Sequence, residues 1–543
     1  MESDYGITEY LGGDRSTVVT CVLKRLYSDF IVQEIDAEGC AVPLHTFEEA
    51  RNGNAAPPSK EINKDEPLAA AASEEFISQC DGVFNRELSA ATMKTEGLDK
   101  QSRTSIHAFI RGRYREELES ETGKDGGIVV SRARPGKRKR WSKDTPPYVH
   151  FTMAKENKET SYAIGIVAKL SGCNTSLFKT CGLKDRRAVT SQRVSAFQVH
   201  PDKLIGLNSR LRDIVLYDFS YHKNSLKTGS HRGNRFIILL RDIDKQHGSL
   251  MESRLQEWKK IGFINYYGTQ RFGSCTTRTA DVGRLILQRK WAEAVKEVLK
   301  GTSRTGKDTV QEAVEEFERS GDALAASKSL KGSTAYASVE GHLLRALAKG
   351  RTWQEAVVQM PLTIRSLYIH AYQSLLWNQC ASARIKEKGM AVVEGDIDEG
   401  GNPLPLDADP FLIALPLPSS ACSSRTGYAM SYYEKELDAD GLTWDSFRTL
   451  EKDFSLGDSS ALVTRLLFLL PKEASWTFVH YTDPMDQIQR SLSGVAEKRE
   501  DGPLLGLQIQ FDLPNGSYAT VALREITACD MGKQFQKVQF DLI

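Results

Sequence analysis

A single carboxylate, Asp185, lies inside a basic cluster in the stretch "CGLKDRRAVTSQ", residues 181–192. Lys184 precedes it, and Arg186 and Arg187 follow it. A carboxylate flanked by cations stays ionised, so it can act as a nucleophile or base beside a polyanion whose phosphates the cations hold. Lys, Asp and Arg also occur together on solvated turns, where their charges pair weakly and do no chemistry. The cluster alone leaves both interpretations open.

The overall composition limits the kind of protein that carries this cluster. The 543 residues include 72 basic and 71 acidic side chains, which gives a formal net charge of +1. Any nucleic-acid surface must therefore be a local patch on an otherwise balanced protein.

Cysteine spacing and hydropathy exclude several other classes of protein. The nine cysteines are scattered, without a Cys-x-x-Cys pair or a Cys/His group at metal-ligand spacing, which argues against zinc and against a disulfide scaffold. The N-terminus has no apolar core of the signal-peptide type, and no run of eighteen apolar residues occurs. We therefore expect an intracellular protein with no membrane partner.

Strand patterns predict the framework around the cluster. Apolar and polar residues alternate at 30–35 and again at 507–511, just before a Pro-Asn-Gly turn. Residues 236–240 form a continuous apolar run, which is typical of a strand buried on both faces. These segments predict a β-rich unit that two other stretches interrupt.

Helical patterns are of two kinds. Apolar residues at helical spacing predict a helix over 160–172, with Thr160 as its cap and Gly172 at its end. Between about residue 264 and residue 480, helical patterns predominate and predict a second, mainly helical domain. One of these helices carries Leu367, Ala371 and Leu375 at helical spacing and has Gly389 as its stop.

A polar insertion separates the first predicted strand from the others. Residues 41–146 are rich in Ala, Glu, Lys, Ser and Gly with little apolar periodicity, which predicts a segment that is partly helical and partly disordered. A basic run at 132–143 is compatible with nuclear import, with non-specific phosphate binding or with a solvated linker. Its basic residues are Arg132, Arg134, Lys137, Arg138, Lys139, Arg140 and Lys143.

Six stretches occur in one order along the chain, and each is weak alone. Together they closely resemble the TruD family of pseudouridine synthases, and the large insertions resemble those of a eukaryotic member. The stretches are "SDFIVQE" at 28–34, "CGLKDRRAVTSQ" at 181–192, "LKTGSHRGNRF" at 226–236, "INYYGTQRFG" at 264–273, "RSLYIHAYQSLLWN" at 365–378 and "LPNGSYATVALRE" at 513–525.

This resemblance implies an α+β fold. A mixed, mostly antiparallel sheet forms the catalytic domain, a mainly helical domain of the family interrupts it, and RNA lies in the cleft between them. The implied domains are the N-terminal part of the catalytic domain at 1–40, the polar insertion at 41–146, the catalytic domain with the Asp185 motif at 147–263, the helical insertion domain at 264–480 and the C-terminal part of the catalytic domain at 481–543.

The family isomerises uridine in RNA without a cofactor or metal. It breaks the N1–C1′ glycosidic bond, rotates the uracil and rejoins it through C5. The aspartate of the family motif falls on Asp185, and the family's N-terminal active-site lysine falls on Lys24, which could pair with it. Three routes need an ionised carboxylate and stay open: attack at the ribose C1′, removal of the C2′ proton, or attack on the uracil ring.

The resemblance also implies the contacts of a flipped base. Asn234 would hydrogen-bond the uracil edge and Phe236 would provide a stacking wall, although without the resemblance they fit a turn and a core position. Tyr518 takes the position of the stacking aromatic, where bacterial members carry Phe. The cations Lys184, Arg186, Arg187 and Arg271 are expected near RNA.

Two other functions are compatible with the same residues. The first is an RNA-binding protein or RNA chaperone that has lost catalysis. The presence of Asp185 and Lys24 argues against it, because binding alone does not require them. A glycosidase-type hydrolase would need a second carboxylate beside the glycosidic bond.

The resemblance also leads us to expect a monomer that acts without a guide RNA. Its expected substrates are tRNA, including position 13 of the D-arm, and other RNAs such as mRNA or snRNA. We expect the protein in the nucleus and also in the cytoplasm.

Overall fold

The structure is a computed structural model that describes most of the chain. The described residues are 1–53, 72–114, 117–123, 126–132, 141, 145–273, 277–301, 309–332, 335, 338–456, 461–494 and 502–531. Most of the basic run at 132–143 therefore lies outside the described residues, apart from Arg132 and Trp141.

Sixteen strands are formed by the described residues. In chain order they are β1 Val22–Leu23, β2 Phe30–Ile35, β3 Ala90–Met93, β4 Leu118–Thr122, β5 Ile128–Arg132, β6 Tyr148–Glu156, β7 Phe178–Thr180, β8 Val189–Phe197, β9 Ile214–His222, β10 Gly233–Arg241, β11 Phe263–Ile264, β12 Ala414–Pro416, β13 Thr464–Leu466, β14 Phe468–Leu469, β15 Lys472–Tyr481 and β16 Leu504–Pro514.

The α-helices concentrate in the second half of the described chain. They are Phe47–Gly53, Glu74–Phe84, Lys100–Arg113, Thr160–Ser171, Pro201–Ile205, Gly248–Ile261, Thr279–Leu287, Trp291–Lys300, Thr309–Ser320, Ala323–Ser329, Val339–Ala348, Trp353–Val358, Leu362–Lys388, Tyr428–Ala439, Trp444–Arg448, Glu451–Phe454 and Ala519–Thr527. Short 3₁₀ turns are Glu2–Tyr5, Tyr27–Asp29, Thr175–Leu177, Gly206–Ser209, Lys245–His247, Thr269–Phe272, Pro410–Leu412 and Ser420–Cys422.

The chain forms two compact units. The first unit comprises Met1–Ile31, Gly233–Gln489 and Glu497–Ile543, and the second comprises Val32–Arg232 and Arg490–Ala496. In the first unit, β10, β16 and β15 pair antiparallel in that order, and β1 pairs with β10. The same unit contains the two-stranded pairs β11 with β14 and β12 with β13.

The second unit contains a further group of antiparallel strands. Strand β6 pairs with β8 and β9, and β7 pairs with β8. One face of these strands packs against the helix Thr160–Ser171, where Phe151, Val167 and Leu216 are buried in a common apolar core. The antiparallel pairing and the mixture of helices and strands confirm the predicted α+β class.

The polar insertion contains more regular structure than the sequence pattern indicated. Strands β3, β5 and β4 form an antiparallel sheet, and two helices, Glu74–Phe84 and Lys100–Arg113, share an apolar core with it. Ile106 and Val130 are fully buried in that core. Helices were predicted here, whereas the strands were not.

Several local predictions can be compared with the structure. The helix at 160–172 is confirmed, but its cap is Glu159 and Thr160 is its first, buried residue. Gly172 ends it in the left-handed conformation, as expected. The helix Leu362–Lys388 is also confirmed. Of the three apolar residues predicted on its face, Ala371 is buried, Leu375 is partly buried and Leu367 is 39% exposed. Ile369, Tyr372, Leu376 and Trp377 are buried as well.

Membrane and metal features were searched among the described residues. None of their helices is both long enough and apolar enough to cross a membrane. Within the same residues, no three or more His, Cys, Asp or Glu side chains are grouped so that they could hold a metal ion. The eight described cysteines are free thiols, of which Cys40 is exposed.

Candidate active site

Asp185 lies in the extended loop between β7 and β8, and its side chain is half-buried. Three side chains beneath this loop hold its main chain. The Lys155 ammonium donates to the carbonyl oxygens of Asp185 and Lys184 at 2.9 and 3.3 Å. The Thr160 hydroxyl accepts from the Lys184 N–H at 3.0 Å, and the Gln192 amide donates to the Gly182 carbonyl at 3.0 Å. We call Lys155, Thr160 and Gln192 the loop cradle.

All three members of the loop cradle are fully buried. Thr160 and Gln192 also bond to each other, because the Thr160 hydroxyl donates to the Gln192 side-chain oxygen at 3.1 Å. Burial lowers the pKa of Lys155 to about 8, although the charge of Asp185 raises it. The cradle thus places a buried, titratable cation directly behind the candidate nucleophile.

Lys184 departs from the expected phosphate contact. Its side chain is 2% exposed, and its ammonium lies 2.9 Å from a carboxylate oxygen of Glu34, which is equally buried. The lysine therefore faces a carboxylate of the protein and not solvent. Its neighbours Arg186 and Arg187 are exposed, which leaves their predicted role at the RNA in place as a prediction.

Lys24 belongs to the first unit and follows β1. Its φ of 61° lies in the left-handed region, which is uncommon for a residue with a Cβ atom. The residue is 8% exposed, and its ammonium lies 3.7 Å from the centroid of the Phe30 ring. Backbone strain at a buried lysine is typical of a side chain held for a specific purpose. Since Lys24 and Asp185 belong to different compact units, their pairing stays a prediction.

Asn234 and Phe236 lie on β10, where they pair in register with Leu513 and Phe511 of β16. Phe236 is 6% exposed, stacks on Phe511 at 5.6 Å between ring centroids and meets Phe30 edge to face. This packing makes Phe236 chiefly a core residue. The side-chain oxygen of Asn234 is buried and has no hydrogen-bond partner among the described residues, which suits a group that bonds a ligand.

Tyr518 immediately precedes the helix Ala519–Thr527 and is partly buried. Its ring lies 6.4 Å from that of Tyr267, and the Arg465 guanidinium lies 4.2 Å from the Tyr267 ring and 6.0 Å from the Tyr518 ring. Arg465 also lies 5.6 Å from the ring of Trp377. We call Tyr267, Trp377, Arg465 and Tyr518 the Tyr518 cluster.

Hydrogen bonds connect this cluster to the loop before Tyr518. Arg465 donates to the Gly516 carbonyl at 2.9 Å and to the main-chain and side-chain oxygens of Asn265 at 2.8 and 2.7 Å. Gly268 lies so close that a Cβ atom there would be 2.8 Å from a ring carbon of Tyr518. The motif "INYYG" therefore packs directly against the predicted stacking residue.

Arg271 follows in the 3₁₀ turn Thr269–Phe272 and is half-exposed. Its Nε atom is buried without a hydrogen-bond partner among the described residues. The rest of its side chain stays available to an anion, so its predicted place near RNA stays a prediction.

Comparison with known proteins shows to which family the chain belongs. Residues 129–401 match the family model described as tRNA pseudouridine synthase D (TruD). The chain is 41% identical over 98% of its length to a Caenorhabditis elegans protein named as a pseudouridine synthase, and it covers 93% of that protein. The chain belongs to the TruD family. It is an RNA pseudouridine synthase, an isomerase that converts uridine to pseudouridine within RNA.

Two further comparisons agree with this assignment. The chain is 28% identical to the Multisubstrate pseudouridine synthase 7 of Schizosaccharomyces pombe, over 98% of the chain and 91% of that protein. The fold is similar to the crystal structure from Methanosarcina mazei that carries the name tRNA pseudouridine synthase D (TruD), with a TM-score of 0.56, 17% identity and coverage of 97% of this chain and 98% of that one.

The TruD motifs contain most of the predicted site residues, which stay predictions, but not the side chains that hold them in the structure. Lys155 lies outside all six motifs, and Arg465 lies in a segment that resembles none of them. The available sequence signal for Lys155 was a charged residue inside the apolar pattern of strand β6. No local signal could have indicated Arg465, since its hydrogen-bond partners Asn265 and Gly516 lie 200 and 51 residues away in the sequence.

Proposed function

We propose that this TruD-family enzyme isomerises uridines in tRNA, including position 13 of the D-arm, and in other RNAs such as mRNA or snRNA. Asp185 acts as the nucleophile. The enzyme works as a monomer without a guide RNA or cofactor. The observation that carries the nucleophile assignment is the support of the Asp185 loop by three buried polar side chains, which suits a carboxylate that must meet a reacting atom in one orientation.

The reaction needs a carboxylate that stays ionised and a uracil that can turn. In the route through the ribose, Asp185 attacks C1′ as the N1–C1′ bond breaks, the released uracil turns in place, and C5 then displaces the carboxylate from C1′. The C5 proton then leaves to solvent, and N1, which took up the electron pair of the broken N1–C1′ bond, gains a proton, so the product is an isomer of uridine. Lys24 would compensate the carboxylate's charge between turnovers.

Two side chains fit the turning base. The buried, unpartnered oxygen of Asn234 suits the uracil N3–H, and the Tyr518 ring offers a stacking face. Both contacts need a base that has left its own stack. The free-energy cost of unstacking is lower for a target uridine in a loop than for one in a stable duplex.

The balanced charge supports a broad set of targets. A net charge of +1 gives little long-range attraction, so selectivity should come from reading a few unpaired bases. The fission yeast relative is named as a multisubstrate enzyme. We therefore expect the purified protein to modify short RNAs without a whole folded tRNA.

Matched RNAs test the substrate. A short RNA with its uridine in a loop should react at least about ten times faster than the same sequence in a stable duplex, since unstacking and unpairing cost a few kcal/mol. Tritium release from the C5 position of the uracil measures the rate. Equal rates on both RNAs, or an absolute need for folded tRNA, would contradict recognition of local unpaired bases.

One substitution tests the nucleophile. Asp185→Ala should abolish pseudouridine formation in a single turnover and keep the RNA affinity near that of the wild type, because the phosphate contacts remain. Asp202→Ala removes an exposed carboxylate of the same unit and is the control. Substantial activity of Asp185→Ala would exclude Asp185 as the nucleophile.

We also propose that the enzyme enters the nucleus through the basic run at 132–143, while some of it acts in the cytoplasm. Seven basic residues without an acid support this role. Their replacement by alanine should move a tagged protein to the cytoplasm, and unchanged nuclear accumulation would refute the import role.

A further inference from the structure

The Asp185 loop is held by its main chain, and the bonds come from side chains buried beneath it. The loop cradle makes hydrogen bonds to the backbone of Gly182, Lys184 and Asp185. These bonds go to main-chain atoms of the loop, so they fix the backbone from which the Asp185 carboxylate extends.

Lys155 is the member whose presence is hardest to explain by stability. A buried ammonium loses its hydration, and an apolar side chain of similar length would avoid that penalty. Lys155 is nevertheless fully buried on β6, and its hydrogen bonds go to the two carbonyls that flank the Cα atom of Asp185. Those two carbonyls define the peptide planes on either side of the residue. Their positions therefore set the direction of its Cα–Cβ bond.

Thr160 and Gln192 complete a closed set of bonds around this lysine. The Thr160 hydroxyl accepts from the Lys184 N–H and donates to Gln192, whose amide nitrogen donates to Gly182. Fully satisfied buried networks rigidify their surroundings, whereas a partly satisfied one is destabilising. The cradle thus restrains the loop at Gly182, Lys184 and Asp185, and Lys155 is its charged member.

We propose that Lys155 is a positioning residue for the isomerisation, which holds the Asp185 carboxylate in its attacking orientation through the main chain of the loop. The proposal rests on the nucleophile role of Asp185 given above. Lys155 acts through the main-chain oxygens to which it donates hydrogen bonds. Its loss should therefore slow the chemical step and leave RNA binding unchanged.

The test compares two lysines of one segment in the full-length protein. Lys155→Met keeps the length of the side chain and removes its donors, and Lys158→Met makes the same change at a lysine whose ammonium pairs with Asp213 at the surface. We expect Lys155→Met to lower the single-turnover rate about 100-fold, because a small misplacement of a reacting group has an effect of that size. The dissociation constant for RNA should stay within about twofold, and Lys158→Met should match the wild type.

Lys155→Gln extends the test, because its amide keeps N–H donors for the carbonyls and loses the charge. Its rate should lie between those of the wild type and Lys155→Met. Circular dichroism and thermal unfolding show which variants are folded, and the assignment is made from a folded one. A wild-type rate in folded Lys155→Met or Lys155→Gln overturns the proposal, and so does a loss of RNA affinity equal to the loss of rate.

Asp185→Ala in the same assay separates the two possible failures. If Asp185→Ala is inactive and folded Lys155→Met is fully active, the positioning role alone is wrong. If Asp185→Ala keeps its activity, the nucleophile assignment is wrong and the positioning role falls with it.

Discussion

The loop cradle and the Tyr518 cluster hold two parts of the chemistry by different forces. The loop cradle fixes main-chain atoms with hydrogen bonds of 2.9 to 3.3 Å from fully buried side chains. In the Tyr518 cluster the Tyr518 and Tyr267 rings meet edge to face, with 6.4 Å between their centroids. The Arg465 guanidinium, itself held by hydrogen bonds, lies 4.2 to 6.0 Å from three aromatic ring centroids. Hydrogen bonds are directional, whereas contacts between rings tolerate sliding.

The difference matches what each part must do. A nucleophile has to meet one atom along one line, so its support must fix an angle. A base that turns during the reaction needs a surface on which it can move. We therefore expect the cradle to tolerate no loss of donors, and the Tyr518 cluster to tolerate changes that keep its shape.

Adding one methyl group should break the Tyr518 cluster. In Gly268→Ala the new Cβ atom would lie 2.8 and 3.0 Å from two ring carbons of Tyr518, so the ring must move. The backbone φ of −65° is ordinary, so no strain adds to this effect. We expect kcat/KM to fall about 100-fold. Gly248→Ala, where the added atom meets open space, is the control and should keep the wild-type value. Equal kinetics of the two variants would mean that the position of Tyr518 is not important.

Changing the ring itself should sharpen the comparison. Tyr518→Phe keeps the stacking face and should stay within about threefold of wild-type kcat/KM, while Tyr518→Ala should lose about 10- to 100-fold, as expected for a stacking contribution of roughly 1 to 3 kcal/mol. Steady-state kinetics on one short RNA measure both variants. If Phe and Ala lose activity equally, the hydroxyl of Tyr518 and not its face is the essential group.

The smallest expected effect is a pH dependence of stability that belongs to the cradle. Lys155 has a folded-state pKa of about 8 because of burial, below its ordinary value near 10.5. Between these values the unfolded chain binds more protons, so the free energy of unfolding rises with pH. The groups that act on this lysine are Asp185, Glu159 and Lys184.

Urea titrations of the wild type and Lys155→Met at pH 7.5 and 9 measure this linkage. The wild type should gain about 1 kcal/mol of stability relative to the variant over that interval. Parallel changes in the two proteins would show that Lys155 does not titrate in this range.

The sequence predicted the positions of strands and helices better than it predicted which of their faces are buried. The apolar run at 236–240 predicted a strand buried on both faces, and strand β10 contains this run within Gly233–Arg241. The helix Leu362–Lys388 is confirmed, yet Leu367 faces solvent, since a helix that packs on several neighbours has apolar residues on more than one face. Helix periodicity cannot tell which of those faces is the deeper one.

For the site, the motifs supplied predicted residues such as Asp185 and Tyr518, whose chemical roles stay predictions. They did not include the side chains that support these residues in the structure. Lys184 looked like a phosphate ligand because its neighbours are cations, but burial against Glu34 depends on a contact 150 residues away in the chain. Lys155 bonds to backbone atoms, and Arg465 contacts residues far away in the chain, so neither contact could be predicted from the local sequence.

The distribution of thiols makes the native chain convenient for labelling. Burial raises the pKa of Cys80 and Cys529 to about 12, and it also raises the pKa of Cys21 and Cys380. Such thiols stay protonated and react slowly with electrophiles. Cys40 is the exposed one among the described cysteines. Among the described cysteines, a maleimide dye should therefore attach first at Cys40, which lies outside the loop cradle and the Tyr518 cluster.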